Sequence, residues 1–151
     1  MAKKASAADA QLLMQLYDLR REAEMRKARH WWMTEFWPRN SDDFLKVTTT
    51  PGTPENNWLR QVASYWGMAA SFVLQGALSE ELFLRPASSG EMFIMLGKVY
   101  PFLGELREKL GDPEAFHDVE KVITRSKWGR ERLKFMMKRL EEWREKLTAK
   151  V

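Results

Sequence analysis

Residues 54–76 read PENNWLRQVASYWGMAASFVLQG. Apolar side chains fall at Trp58, Leu59, Val62, Ala63, Tyr65, Trp66, Ala69, Ala70, Phe72 and Val73. At helical period they cover most of the circumference, which places such a helix in the middle of a bundle. The start is well marked. Thr53 can cap, Pro54 suits the first helical position, and Glu55 complements the helix dipole.

Upstream of this helix, residues 48–54 form a loop, with four threonines, two prolines and a glycine. Ser41 with Asp42 and Asp43 predicts an N-cap for a short helix through Val47. Before that, Leu12, Leu16, Leu19 and Ala23 recur at spacings of four and three, which predicts one long N-terminal helix from Ala8 to Trp37, closed by Pro38. Residues 1–7 read as a frayed tail.

Downstream, Ser79-Glu80-Glu81 starts a short helix that ends near Pro86. Ser88 and Glu91 have capping-box spacing, and the helix they open is expected to run to Leu110 with a kink at Gly97–Pro101. Gly111 stops it and Asp112-Pro113-Glu114 reads as the next start, with Phe116, Val119, Val122 and Ile123 as a buried stripe. Gly129 is expected to interrupt that helix. From Arg130 onward Leu133, Met136, Met137, Leu140, Trp143 and Leu147 lie on one face among Lys, Arg and Glu. The pattern describes an all-α fold: one domain over residues 1–151, built as a helical bundle of four to six helices.

Composition bounds the function. The chain has 151 residues with 44% hydrophobic and 30% charged residues, a globular balance. It has no cysteine, which removes thiol nucleophiles and thiolate metal sites and points to a cytoplasmic setting. Two N-terminal lysines are followed by no apolar run, so no signal peptide is read. The longest weakly charged stretch, Gln61 to Ser79, contains Gln, Ser, Tyr and Gly and reads as a core helix. The net charge of +4 is unevenly spread. Residues 1–30 hold seven Lys/Arg and four Asp/Glu, residues 31–119 seven and twelve, and residues 120–151 eleven and five.

No phosphate loop, dinucleotide fingerprint, nucleophile elbow or zinc motif is present. No cofactor and no metal is expected. Glu114 and His117 have the spacing used in di-iron bundles, but those need two such motifs, and Lys27 stands three residues before His30. Glu80 and Glu81 are adjacent, so on a helix they point about 100° apart and read as first-turn acids, not as a catalytic pair. Trp31, Trp32, Trp37, Trp58, Trp66 and Tyr100 could be core, line a ligand pocket beside the Pro101 kink, or form an interface. Lys121, Arg125, Lys127, Arg130 and Arg132 form a basic surface without Asn or Gln readers of base edges. An enzyme would have to be assembled from scattered residues such as Arg60, Tyr100, Glu105 and Arg107.

Three segments carry a resemblance. Trp58-Leu-Arg-Gln-Val-Ala-Ser-Tyr-Trp-Gly-Met is followed by Gly76-Ala-Leu-Ser-Glu-Glu-Leu-Phe, then by Val99-Tyr-Pro-Phe-Leu-Gly-Glu-Leu-Arg107. Together they resemble the bacterial domain-of-unknown-function family 4760, over about residues 58–123. Relatives often carry a glutamate just after the aromatic of the first segment, where this chain has Gly67 after Trp66. The resemblance implies an all-α fold and supplies no activity. The resulting expectation is a non-enzymatic interaction or scaffold protein. Its partner would be itself, as a homodimer, or another protein, with nucleic acid and membrane disfavoured. The alternatives are an apolar-ligand module and a weak nucleic-acid binder acting through the C-terminal helix.

Overall fold

The fold is built around the 54–74 helix, because its neighbours must cover it on several sides. The computed structural model describes residues 4–149. In chain order the elements are α1 (Ala7–Leu19), α2 (Ala23–His30), a π-helical turn (Trp31–Glu35), α3 (Ser41–Thr48) and α4 (Pro54–Leu74). Then follow α5 (Glu80–Phe83), α6 (Pro86–Val99), a 3-10 turn (Tyr100–Phe102), α7 (Leu103–Leu110), α8 (His117–Thr124) and α9 (Lys127–Thr148). The chain is all-α, with no strand among the described residues and more helical segments than the four to six expected. No helix is long and apolar enough to cross a membrane among those residues.

In α4, Leu59, Val62, Tyr65, Trp66, Ala69, Ala70 and Val73 are all buried. The helix packs against α2, α3 and α8, and α6 packs against α9. Met92, Phe93, Met95, Leu96 and Val99 of α6 continue the same core. Its start is as read: Thr53 Oγ1 accepts from the Asn56 N–H at 3.2 Å, with Pro54 in the first turn.

The long N-terminal helix is not formed. The chain breaks after Leu19, because Glu22 adopts extended backbone and its carboxylate caps the Met25 N–H at 2.9 Å. That restart lets α2 turn onto α4 and leaves Leu19 exposed, off the stripe expected to bury it. The start is also earlier than read. Ser6 and Asp9 form a reciprocal capping box, so residues 6 and 7 are not frayed; residues 1–3 lie outside the described residues. At the other end the π-helical turn changes the pitch, so that the sequence neighbours Trp31 and Trp32 are both buried.

Several expected caps moved. Asn40, not Ser41, caps α3, and Ser41 is buried with its hydroxyl accepting from Lys109 at 2.8 Å. Pro86 opens α6 instead of ending α5. Ser88 and Glu91 therefore make no capping box, and Glu91 instead accepts two hydrogen bonds from Arg29, at 2.8 and 2.6 Å. The kink at Gly97–Pro101 is a full 3-10 turn holding Pro101, and Gly97 has another role. A Cβ there would lie 2.8 Å from Leu140 Cδ1, so the glycine admits α9.

Gly111 ends α7 in the left-handed region, as expected. Asp112-Pro113-Glu114 does not start a helix. The chain turns until Phe116, whose φ of 60° makes it the one described non-glycine in the left-handed region, and α8 begins at His117. The Phe116 ring meets Phe44 edge-on at 5.9 Å, which holds that backbone in place. Gly129 interrupts nothing. The break lies at Arg125–Ser126, where Ser126 Oγ accepts from the Gly129 N–H at 3.0 Å.

Candidate functional site

The π-helical turn gathers most of the aromatic side chains singled out above. Trp31 stacks on Phe36 at 4.4 Å, meets Trp32 edge-on at 6.0 Å, and lies 6.3 Å from Trp58. Trp32 is fully buried and Trp31 nearly so. Trp66 belongs elsewhere, against Tyr65 and Phe83. Tyr100 is exposed and stands in no aromatic pair among the described residues. The six residues are thus not one pocket: three are buried in the core, and Tyr100 points out of it. What remains open is a cleft of about 430 Å³ where Trp31 and Trp58 meet Arg26, Lys27, His30 and Glu35.

The sequence reading missed Lys98, which holds this region together. It is 2% exposed and sits inside the apolar run of α6. Its Nζ donates to the carbonyls of Trp32 and Phe36, the latter at 2.8 Å, and lies 3.7 Å from the centre of the Trp37 ring. These carbonyls are left over where the helical ladder of α2 ends, so a cation there also meets the negative end of the helix dipole. Burial pushes the ammonium down to about 7, and Arg144 pushes the same way. The only signal in the sequence was a lone lysine among apolar neighbours.

The other candidates are separated. Arg107 donates to the Ala115 carbonyl at 2.9 Å and to Glu120 at 3.1 Å, while Glu105 pairs with Lys109 at 3.1 Å. No hydrogen bond or ion pair joins them to Arg60 or Tyr100 among the described residues. Glu114 ends in a turn, 3.8 Å from His117, and that histidine borders an open cleft of about 420 Å³ with Arg60 and Phe116. No group of three or more acidic or histidine side chains among the described residues has metal-holding geometry. Glu80 pairs with Arg125 through two hydrogen bonds, at 3.0 and 2.7 Å, and Glu81 with Arg85.

The basic surface is therefore partly neutralised. Arg125 is taken by Glu80, Lys127 lies 3.8 Å from Glu131, and Arg130 donates to the Thr124 carbonyl at 2.7 Å. Lys121 is exposed on α8. Arg132 lies over Phe135 at 4.8 Å, with Arg139 on the same ring at 5.2 Å. Phe135 is one of several apolar side chains that α9 leaves exposed, with Trp128, Trp143 and Leu147. Of the stripe expected to be buried, Leu133, Met136 and Leu140 are inside. Trp143 and Leu147 are exposed toward the C-terminal end of α9, although Arg144 between them still donates to the Pro38 carbonyl at 3.1 Å.

No curated protein and no solved structure matches the chain. A family match covers residues 5–128, which takes in α1 to α8 and stops just inside α9. The chain belongs to the family described as Domain of unknown function (DUF4760).

Proposed function

We propose that the protein is a non-enzymatic helical interaction module that associates with a second copy of itself through α9. The observation that carries this reading is the second face of α9. Trp128 and Phe135 are seven residues apart and share a stripe beside the core-facing one, and Trp143 prolongs the core-facing row past its buried part. All three are exposed, at 44%, 46% and 36%. Single exposed apolar residues are ordinary, whereas a row of large aromatics marks a contact surface.

The charges on α9 favour a second copy as the occupant. Residues 127–139 hold six Lys/Arg and one Glu, and residues 140–148 hold two and three. An antiparallel pair sets the basic half of each helix against the acidic half of the other. The same arrangement places the two-fold axis beside Phe135 and brings Trp128 of one copy to Trp143 of the other. Such a contact is self-complementary, as a two-fold dimer requires. The setting we assign is the bacterial cytoplasm.

Size-exclusion chromatography with light scattering tests this. A dimer is expected at low salt, weakening as salt is raised, and Phe135→Glu should give a monomer with unchanged helicity. A monomer at low salt and high concentration, or a Phe135→Glu dimer, refutes the proposal. Co-eluting nucleic acid that salt removes would transfer the face to a different partner.

A further inference from the structure

Arg20, in the turn between α1 and α2, is a buried cation with no carboxylate partner among the described residues. It is 6% exposed. Its guanidinium lies 5.0 Å from the Tyr17 ring and 5.4 Å from the Trp66 ring. Those aromatic faces offset part of the burial of the charge. No described carboxylate pairs with it, and its Nε is buried with no acceptor. The nearby Glu91 is already held by two hydrogen bonds from Arg29, so the group Arg20, Arg29 and Glu91 carries one positive charge in excess. Buried arginines are ordinarily paired, because an unpaired charge away from water is costly.

Arg20 lines a cleft of about 250 Å³ between α1 and the start of α6. The polar side of the cleft continues at Ala87 and Ser88, in the first turn of the 14-residue α6. That helix start has no side-chain cap; Pro86 has no N–H and the Ser88 and Ser89 N–H groups donate to the Arg85 carbonyl at 2.9 and 3.0 Å, so the Ala87 N–H and the positive end of the dipole are what favour an anion. The apolar side is Leu13, Met14 and Leu16. Tyr65 closes the floor, its hydroxyl donating to the Leu16 carbonyl at 2.7 Å. The cleft is smaller than the roughly 300–1,000 Å³ of sites for drug-sized ligands, so it suits a short ligand.

We infer that this cleft is a binding site for a small amphiphilic carboxylate, its carboxylate on Arg20 and the α6 N-terminus and its apolar tail along Leu13, Met14 and Leu16. The site lies in the family-matched part of the chain and is independent of α9. Recognition needs both halves. The cation and helix start select for negative charge, and the apolar wall selects against a bare anion.

The test uses three probes on the full chain: octanoate, 1-octanol and inorganic phosphate. Arginine Nε–H signals in a nitrogen–proton correlation spectrum report the site directly, and the one missing in Arg20→Gln identifies Arg20. Octanoate should shift that signal saturably and bind at least about tenfold more tightly than either control, as expected for a charge-assisted hydrogen bond. Arg20→Gln should weaken octanoate at least about tenfold. Because removal of a buried arginine can itself disturb folding, Ser88→Asp is the second variant. It supplies a carboxylate inside the cleft, so melting should stay level or rise while octanoate binding is lost. An Arg20 signal unmoved by octanoate overturns the inference. So does octanol or phosphate binding as tightly as octanoate, or full octanoate affinity in either variant.

Discussion

Gly129→Ala separates packing from helix propensity, since the two effects have opposite signs at this position. Gly129 lies in the first turn of α9, where alanine ordinarily adds about 1 kcal/mol. A Cβ there would stand 1.8 Å from the Ile123 carbonyl oxygen and 2.9 Å from its carbon. Both are backbone atoms, so no rotamer change relieves them. An ordinary carbon–oxygen contact is about 3.3 Å or longer, so α8 and α9 would have to separate by roughly 1.5 Å. Overpacking in well-packed regions costs about 1–3 kcal/mol and sometimes more, and a backbone clash belongs at the upper end. The net expectation is a loss of about 2 kcal/mol, or a fall in Tm of about 4–8 °C for a chain of this size. Gly67→Ala is the matched control. It sits in the middle of α4, and a Cβ meets nothing within 4 Å. That change should raise Tm by about 2–4 °C. Thermal melts followed by far-UV circular dichroism read both variants. A Gly129→Ala protein that melts at or above the wild type would refute the close α8–α9 approach.

Lys98→Met should change the pH dependence of stability. The folded ammonium is pushed from its ordinary 10.5 to about 7, so between these values the unfolded chain binds a proton that the native state sheds. Native stability therefore rises with pH across that window, by up to about 1.4 kcal/mol per unit, and Lys98→Met loses this slope. Urea unfolding at the two ends of the window checks it, and an equal wild-type-to-variant difference at both ends contradicts it. Trp32→Ala removes a ring with 0% exposure and should cost about 3–5 kcal/mol, whereas Tyr100→Ala, at 37% exposure, should cost less than about 1. Comparable losses at the two sites would undo the division of the aromatic residues into core and surface. Ser126→Ala removes the cap on α9 and should cost about 1 kcal/mol in the same unfolding experiment.

The all-α class, the central place of α4, the Thr53-Pro54 start, the Gly111 stop and the buried row of Leu133, Met136 and Leu140 were all legible in the amino-acid order. These are readable because helical period, proline geometry and a left-handed glycine act within a few residues of chain. The tertiary structure alone decided where helices break without Gly or Pro. Glu22 becomes a cap because α2 gains more by packing on α4 than by continuing α1, and no local propensity records that gain. It also decided the roles of Gly97 and Gly129, which are fixed by Leu140 and by the Ile123 backbone across a helix contact. The tryptophans divided between core and surface for the same reason, since adjacent Trp31 and Trp32 are both buried only where the helix changes pitch. Lys98 and Arg20 were illegible in the sequence. A lysine or arginine in one dimension shows its charge, but only the folded chain shows whether carbonyls, rings or a carboxylate stand around it.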